Sequence, residues 1–157
     1  MTNGSSERTG ASLDHGEAGQ QGKVLVPGDK ALVESALRVR EHAYAPYSGF
    51  PVGAALLAAS GRVFTGCNVE NASYPLTICA ERAALFKAVS EGEREFEAIA
   101  IVSATGATPC GACRQVLSEF GGPDGDLRVL VVDTAGSIRS FTIAQLLPEE
   151  FTPDQLG

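Results

Sequence analysis

Three of the four cysteines in the chain lie in two short stretches, at positions 79–82 and 109–113. The thiolates of Cys79, Cys110 and Cys113 are soft ligands for zinc. A zinc site with three protein ligands keeps its fourth position open for a water molecule, whereas a structural zinc site is closed by four protein ligands. The spacing therefore predicts a catalytic zinc site, with one zinc ion per chain.

Glu81 lies two residues after the first of these cysteines. At this spacing its carboxylate is close enough to a metal held by Cys79 to exchange protons with the water, and it is not needed to hold the ion. This combination is typical of a hydrolytic site. Glu81 is therefore the predicted catalytic residue.

Other interpretations of the cysteines stay open when only the residues are considered. They could be small core residues, as free cysteines often are. Cys67 could be a fourth ligand in a closed structural site, and His15 or His42 could complete the set. The joint occurrence of Pro-Cys-x-x-Cys and Cys-x-Glu patterns favours the open site with three cysteines.

Two predicted helices must bring the cysteines together. Cys110 and Cys113 are three residues apart, so on the first turn of a helix they share one face. Cys79 is at the start of a second predicted helix. Both helix N-termini would then point at one metal ion, and their partial positive charge would lower the pKa of the thiols.

The remainder of the chain alternates helical and strand patterns after a polar N-terminal tail. Residues 1–22 are rich in Gly, Ser, Glu and Gln and contain no aromatic residue, so we predict a disordered tail followed by one domain at 23–157. A helix at 29–44, with Asp29 as its N-cap, precedes the other predicted elements: helices at 78–91, 113–120 and 142–147, a hairpin at 51–59 and 62–67, and strands at 96–103, 127–132 and 137–141. The apolar set of the helix at 78–91 is so broad that we expect it to be nearly buried. The alternation implies an α/β sandwich with a mixed sheet.

The composition argues against several classes of partner. The 157 residues carry a net charge of −7 and no cluster of Lys and Arg, which disfavours nucleic-acid binding. No segment approaches the roughly 18 apolar residues of a membrane span, and the N-terminus lacks the apolar core of a secretory signal. We therefore expect a cytoplasmic protein with a small-molecule partner, no nucleic acid and no membrane.

Taken together, the motifs resemble those of the small, homotetrameric, zinc-dependent cytidine deaminases of the cytidine and deoxycytidylate deaminase family. The resemblance covers about residues 44–153. Its blocks follow the family order: Ala-Pro-Tyr-Ser at 45–48, Phe-Pro-Val-Gly-Ala-Ala-Leu at 50–56, Gly-Cys-Asn-Val-Glu-Asn-Ala-Ser-Tyr at 66–74, Cys-Ala-Glu-Arg at 79–82, Pro-Cys-Gly-Ala-Cys-Arg-Gln at 109–115, and Leu-Leu-Pro at 146–148 with Phe151.

The resemblance implies both a fold and a reaction. The fold would be a three-layer α/β/α sandwich with a mixed five-stranded sheet, assembled as a homotetramer with active sites at subunit interfaces. The reaction would be the hydrolytic deamination of cytidine and 2′-deoxycytidine to uridine and 2′-deoxyuridine, with release of ammonia, by a zinc-activated water in pyrimidine salvage.

The resemblance also implies roles for residues around the metal and the sugar. Asn68 and Glu70 would hydrogen-bond the ribose hydroxyls, and Phe50 would pack on the pyrimidine ring. Arg82 would donate hydrogen bonds to ligand sulfurs and so offset the negative charge of three thiolates on one zinc ion.

Four further residues are implied to contact the substrate. The backbone of Ala72 and Ala80 would bind the edge of the base. Tyr74 would reach the sugar bound to a neighbouring subunit, and Phe151 of a neighbouring subunit would cover the base. The chain departs from the family at Thr152, which follows Phe151 where glycine is usual.

Three alternative functions differ from this prediction in the substrate or in the class of protein. The same chemistry could act on a base within RNA or DNA, but the chain is acidic and short. A deaminase of a cytosine-containing antibiotic is a second rival, against which the Asn68 and Glu70 pair argues. A zinc-stabilised module without catalytic activity is a third, from a different class.

Overall fold

A mixed sheet of five strands forms the middle layer of the domain. The computed structural model of the protein describes residues 25–122 and 124–156, so the predicted tail at 1–22 lies outside the described residues. The strands are β1 (Gly53–Ala58), β2 (Val63–Cys67), β3 (Phe96–Ser103), β4 (Arg128–Asp133) and β5 (Ile138–Thr142). Their order is β2-β1-β3-β4-β5, with β3 and β4 parallel and the other neighbours antiparallel. The predicted mixed sheet is confirmed.

Helices cover both faces of the sheet. They are α1 (Asp29–Arg40), α2 (Ala80–Ser90), α3 (Gly111–Ser118) and α4 (Ile143–Leu146). Side chains alternate along β3, so Ala98, Ala100 and Val102 pack under α1, whereas Ile99 and Ile101 pack in the core shared by α2, α3 and α4. Because both faces are covered, β3 is an almost continuous apolar run. The predicted three-layer sandwich is confirmed.

Two strand glycines allow α1 and α2 to lie directly against the sheet. A Cβ atom added to Gly66 in β2 would lie 2.4 Å from the backbone nitrogen of Ala84 and 2.7 Å from the carbonyl oxygen of Ala80. A Cβ atom added to Gly53 in β1 would lie 2.1 Å from the carbonyl oxygen of Ala36. Only glycine permits these contacts, and the one at Gly66 sets the depth of the first turn of α2.

The first helix differs from its prediction at both ends. Its N-cap is Gly28, whereas Asp29 is its first residue and is buried in a bidentate ion pair with Arg128, at 2.9 and 3.0 Å. The helix ends at Arg40 and not at residue 44, because Tyr44 leaves the helical path to form a parallel bridge with Val69. The predicted N-cap and C-terminus were therefore wrong, since both depend on partners distant in the sequence.

Helix α2 is buried on one side and exposed on the other. The prediction that α2 is nearly buried was therefore wrong. Its inner face is buried, but Lys87 and Phe86 are exposed, and Val89 is half-buried.

Within residues 25–122 and 124–156, no helix is long and apolar enough to cross a bilayer.

Gly66→Ala is expected to destabilise the fold. The added methyl group would meet the backbone of α2, which cannot move aside as a flexible side chain can. We expect the free energy of unfolding to fall by about 1–3 kcal/mol, measured by urea denaturation. Gly111→Ala is the matched control, because a Cβ atom there meets nothing within 4 Å and its φ angle is not positive. Equal unfolding free energies in the two variants would contradict the proposed contact.

Candidate active site

The three predicted ligands meet where two helices begin. Cys79 is the N-cap of α2 and Cys110 is the N-cap of α3, with Cys113 in the first turn of α3. Helix α3 begins two residues earlier than the predicted residue 113, and this start is what makes Cys110 a cap residue. Neither cap side chain bonds its own helix, so both sulfurs are available to a ligand.

The sulfur atoms have the separation that zinc requires. All three lie within 4.8 Å of one another, and the sulfurs of Cys79 and Cys110 are 3.9 Å apart. Tetrahedral zinc with bonds to sulfur of about 2.3 Å places two sulfurs about 3.8 Å apart. The donor set and its spacing therefore fit zinc.

One sulfur of the cluster, that of Cys79, is biased towards thiolate. Hydrogen bonding from Cys113, with help from Arg82 and Cys110, lowers the pKa of Cys79 to about 5. The pKa of Cys113 is raised, because its thiol is the partner in that hydrogen bond and is buried. The Cys79 sulfur is thus ready to bind a cation, and the proton of Cys113 would be released when a metal binds.

Arg82 lies beside the cluster, as the resemblance implies. Its Nη2 atom is 3.7 Å from the sulfur of Cys79 and 3.4 Å from the carbonyl oxygen of Thr77. Its Nε atom is buried and finds no hydrogen-bond partner among the described residues. The guanidinium group therefore has a donor left for an acceptor that accompanies the metal site.

No fourth protein ligand joins the cluster within the described part of the chain. The group of possible metal ligands consists of the three predicted cysteines and does not include Cys67 or His42. Burial raises the pKa of the Cys67 thiol, which favours its neutral form. His15 lies outside the described residues. The arrangement is that of an open site.

Glu81 occupies a buried position next to the cysteines. It is in the first turn of α2 and only 5% exposed. Burial raises the pKa of its carboxyl group, and the neighbouring Cys79 thiolate acts in the same direction. A carboxyl group that can hold a proton beside a metal site is suited to general acid and base catalysis.

A pocket of about 400 Å³ opens next to the cluster and falls in the size range of small-molecule sites. Cys79, Cys110 and Glu81 lie in its lining. The remaining lining residues are Ser48, Phe50, Val52, Asn68, Glu70, Tyr74, Thr77, Ala80, Ile101, Ser103, Ala107 and Thr108. The pocket therefore brings together two of the three predicted metal ligands and most of the predicted substrate contacts.

Asn68 and Glu70 hold the opposite wall of the pocket in place. The side chain of Asn68 accepts a hydrogen bond from the Val52 amide at 2.8 Å and donates one to the Phe50 carbonyl at 3.0 Å. Glu70 accepts from the amides of Tyr47 and Ser48, at 2.9 and 3.2 Å, and from the Ser48 hydroxyl.

These hydrogen bonds leave both side chains with capacity for a ligand. The amide of Asn68 has one N–H left to donate, and the carboxylate of Glu70 has lone pairs left to accept. The bond from the Ser48 hydroxyl is the largest of the effects that lower the pKa of Glu70, so this carboxylate stays ionised. Both residues are almost fully buried, which makes the remaining capacity available only to a group inside the pocket.

Two predicted contacts lie away from the pocket of their own chain. Ala72 is exposed, Phe151 is 56% exposed, and neither lines the pocket. Tyr74 does line it but is 58% exposed. The backbone at Thr152 is ordinary, since no described residue other than glycine has a positive φ angle, so the position does not require the usual glycine.

Several polar lining residues were missed by the sequence analysis. Ser48 lies in the Ala-Pro-Tyr-Ser block that contributes to the resemblance, but no role was assigned to it. Ser103 accepts a hydrogen bond from the Ala107 amide at 2.9 Å, and Thr108 accepts one from Arg114 at 3.0 Å. Residues 103–108 follow a strand without any motif, so only their placement beside the cluster reveals them.

Comparison with known proteins identifies the family. The family model for the cytidine and deoxycytidylate deaminase zinc-binding region matches residues 27–125. Cytidine deaminases of Sporosarcina psychrophila and Halalkalibacterium halodurans are each 50% identical over 128 residues, which is 80% of this chain and 93% and 96% of theirs. The chain belongs to the cytidine and deoxycytidylate deaminase family.

Solved structures agree with this assignment. The crystal structure of cytidine deaminase from Burkholderia pseudomallei has a TM-score of 0.74 at 52% identity and covers 78% of this chain and 98% of its own. That of cytidine deaminase from Mycobacterium tuberculosis has a TM-score of 0.67 at 43% identity and covers 78% and 96%. The predicted fold and the zinc cofactor are confirmed at the level of the family.

Zinc content should depend on Cys110 and not on Cys67. We expect the purified chain to hold about one zinc ion and Cys110→Ser to lose most of it, because only two sulfur ligands remain in that variant. Cys110 is exposed, so its replacement creates no core cavity. Cys67→Ser is the control and should keep its zinc, measured by inductively coupled plasma mass spectrometry. Loss of zinc from Cys67→Ser would instead support a site of four cysteines.

Proposed function

We propose that the protein catalyses the hydrolytic deamination of cytidine and 2′-deoxycytidine to uridine and 2′-deoxyuridine. The observation that carries the proposal is the buried Glu81 carboxyl group beside three cysteine sulfurs, at the side of a pocket of nucleoside size. Relatives that match 80% of the chain at 50% identity are cytidine deaminases, which supports the same substrate here.

Cys79, Cys110 and Cys113 would hold the zinc ion. Bound zinc supplies Lewis acidity that can lower the pKa of water from about 15.7 to about 7. Three thiolates on a divalent ion leave a net charge near −1. The hydrogen bond from Arg82 to the sulfur of Cys79 withdraws part of this charge, so Arg82 tunes the site without touching the substrate.

Glu81 would carry the protons of the reaction. Its carboxylate accepts one proton from the attacking water and delivers it to the ring nitrogen of the pyrimidine. It then moves the second proton of the former water to the exocyclic amine, which leaves as ammonia while the new carbonyl forms. A raised pKa suits this role, because the carboxyl group must both accept and release protons.

The sugar would bind between Asn68 and Glu70. A sugar hydroxyl can accept the remaining N–H of Asn68 and donate to the free lone pair of Glu70, so it satisfies both residues at once. A 3′-hydroxyl, which ribose and deoxyribose share, is sufficient for this pair. Phe50 lines the same wall and would pack on the flat pyrimidine ring.

Backbone groups and neighbouring subunits would complete the site. Ala80 is fully buried in the lining, where its backbone can bind the edge of the base. We assign the same role to Ala72, which lies outside the pocket of its own chain and would act on that of a neighbouring subunit. Tyr74 would reach the sugar bound to a neighbouring subunit, and Phe151 would cover a neighbouring base. Ala72, Tyr74 and Phe151 are exposed and so are accessible to a neighbouring subunit, as the proposed homotetramer with active sites at its interfaces requires.

The protein is proposed to act in pyrimidine salvage in the cytoplasm. A site that depends on three reduced thiols persists best in a reducing compartment. The substrates are free nucleosides, so neither a nucleic acid nor a membrane is needed as a partner.

Glu81→Gln should abolish most of the turnover while zinc remains bound. Glutamine keeps the size of the side chain but cannot carry a proton, so we expect kcat for cytidine to fall by about 10²–10⁴-fold. The loss of cytidine absorbance is followed with zinc quantified in the same preparation. Glu97→Gln, an exposed position in β3, is the control and should leave kcat unchanged. Full activity of Glu81→Gln would exclude Glu81 as the proton carrier.

The pocket should select nucleosides over nucleotides. Its described lining contains two carboxylates, Glu70 and Glu81, and no lysine, arginine or histidine. A 5′-phosphate would therefore meet like charge without a cation. We expect kcat/KM for cytidine to exceed that for cytidine 5′-monophosphate by about 10²-fold or more.

The control for this prediction compares cytidine with 2′-deoxycytidine, which differ only by the neutral 2′-hydroxyl group. These two substrates should have kcat/KM values within about tenfold of each other, since one hydrogen bond contributes about 1 kcal/mol. Equal rates on the nucleoside and the monophosphate would contradict the selectivity.

A further inference from the structure

The side chain of Gln115 forms a reciprocal pair of hydrogen bonds with the main chain of Phe151. Its Nε2 atom donates to the Phe151 carbonyl oxygen at 2.8 Å, and its Oε1 atom accepts from the Phe151 amide at 3.1 Å. Two bonds from one rigid amide group fix the orientation of the main chain at that position as well as its distance. Gln115 thereby sets the direction in which the Phe151 side chain leaves the main chain.

These two hydrogen bonds attach the C-terminal segment, defined here as residues 148–156, to α3. Among the described residues, the other hydrogen bonds of this segment are local, between Thr152 and Gln155. Phe151 is 56% exposed, so packing against its own chain constrains the side chain only in part. The attachment to Gln115 is thus the main constraint on where this ring lies.

Arg114 links the end of α4, just before the C-terminal segment, with the loop before Cys110. Its guanidinium group donates to the carbonyl oxygens of Pro109, at 2.7 Å, and Leu146, at 2.9 Å, and to the hydroxyl of Thr108, at 3.0 Å. Leu146 is the last residue of α4 and lies two residues before the C-terminal segment. One side chain therefore links the loop that leads into the metal ligands with the base of that segment.

Helix α3 and its N-cap carry both functions within six residues. Cys110 and Cys113 are at its start, and Arg114 and Gln115 follow directly. A short helix moves as a unit, so the geometry that presents two sulfurs to the metal also determines the position of the C-terminal segment.

We propose that Gln115 is a positioning residue for Phe151. Helix α3 then determines the position of the aromatic ring as well as the positions of Cys110 and Cys113. The inference extends the proposed function, because it takes Phe151 to cover the base of a bound nucleoside. Gln115 itself does not line the pocket, so its effect on the substrate must pass through Phe151.

Gln115→Met tests the proposal, since methionine keeps the length and helix propensity of glutamine but cannot form either bond. We expect KM for cytidine to rise by about tenfold, which corresponds to about 1.4 kcal/mol, while kcat and zinc content stay within twofold. Gln115→Glu keeps the acceptor for the Phe151 amide but sets a carboxylate oxygen against the Phe151 carbonyl oxygen, so KM should rise in this variant too. Ser60→Ala is the control: it removes a side-chain hydrogen bond, to Glu93 at 2.8 Å, in the exposed turn between β1 and β2 away from the pocket, and should leave KM unchanged.

A double-mutant cycle separates positioning from a general structural role. In the Phe151→Ala chain, which lacks the ring, Gln115→Met should cause no further rise in KM. A rise that persists in the Phe151→Ala background would overturn the proposal, as would a loss of zinc in Gln115→Met.

Hydrogen exchange provides a readout that does not depend on catalysis. Peptides covering residues 148–156 should exchange faster in zinc-loaded Gln115→Met than in the zinc-loaded wild type, because the Phe151 amide loses its acceptor. Equal exchange would overturn the proposal even if turnover were normal. Absence of wild-type turnover on cytidine would refute the proposed function instead, and the exchange comparison would still decide whether Gln115 holds the segment.

Discussion

The meeting of two helix N-termini on one face of the sheet is the constraint on which the rest of the structure depends. Cys79 and Cys110 are cap residues, so the separation of their sulfurs is determined by where α2 and α3 lie on the sheet. An error of one ångström in either helix would take the pair away from the 3.9 Å that suits tetrahedral zinc. The backbone contact of α2 at Gly66 is what permits this placement.

The electrostatic character of the pocket changes from one side to the other. At the cluster, the hydrogen bond from Cys113, together with Arg82, lowers the pKa of Cys79, and burial raises the pKa of Glu81. On the opposite wall, the side chains of Asn68 and Glu70 are hydrogen-bonded to residues 47–52. Asn68 keeps one N–H to donate to a ligand, and Glu70 keeps lone pairs to accept from it. The cysteine cluster and the opposite wall of the pocket are thus both held in place, but by different interactions, so this part of the pocket is preformed.

Local patterns predicted most of the elements and the metal ligands. The predicted strand at 96–103 coincides with β3, because a continuous apolar run between loop residues needs no distant partner to be recognised. Thr142 caps α4 through a capping box with Gln145, which is also a local pattern. The errors occurred where a distant residue decides. Asp29 binds Arg128 across 99 positions, and the pairing of Tyr44 with Val69 ends α1 early.

The sequence by itself predicted the three sulfur ligands and Glu81, because Cys-x-Glu and Cys-x-x-Cys are two local motifs that occur together, and it predicted the α/β class from hydrophobic periodicity. Only the tertiary structure decided that these ligands share a pocket with Ser48, Ser103 and Thr108, that α2 keeps Phe86 exposed, and that Gln115 holds Phe151. These features join segments that are tens of residues apart. No local pattern encodes such distances, since they arise when the helices and strands pack against one another.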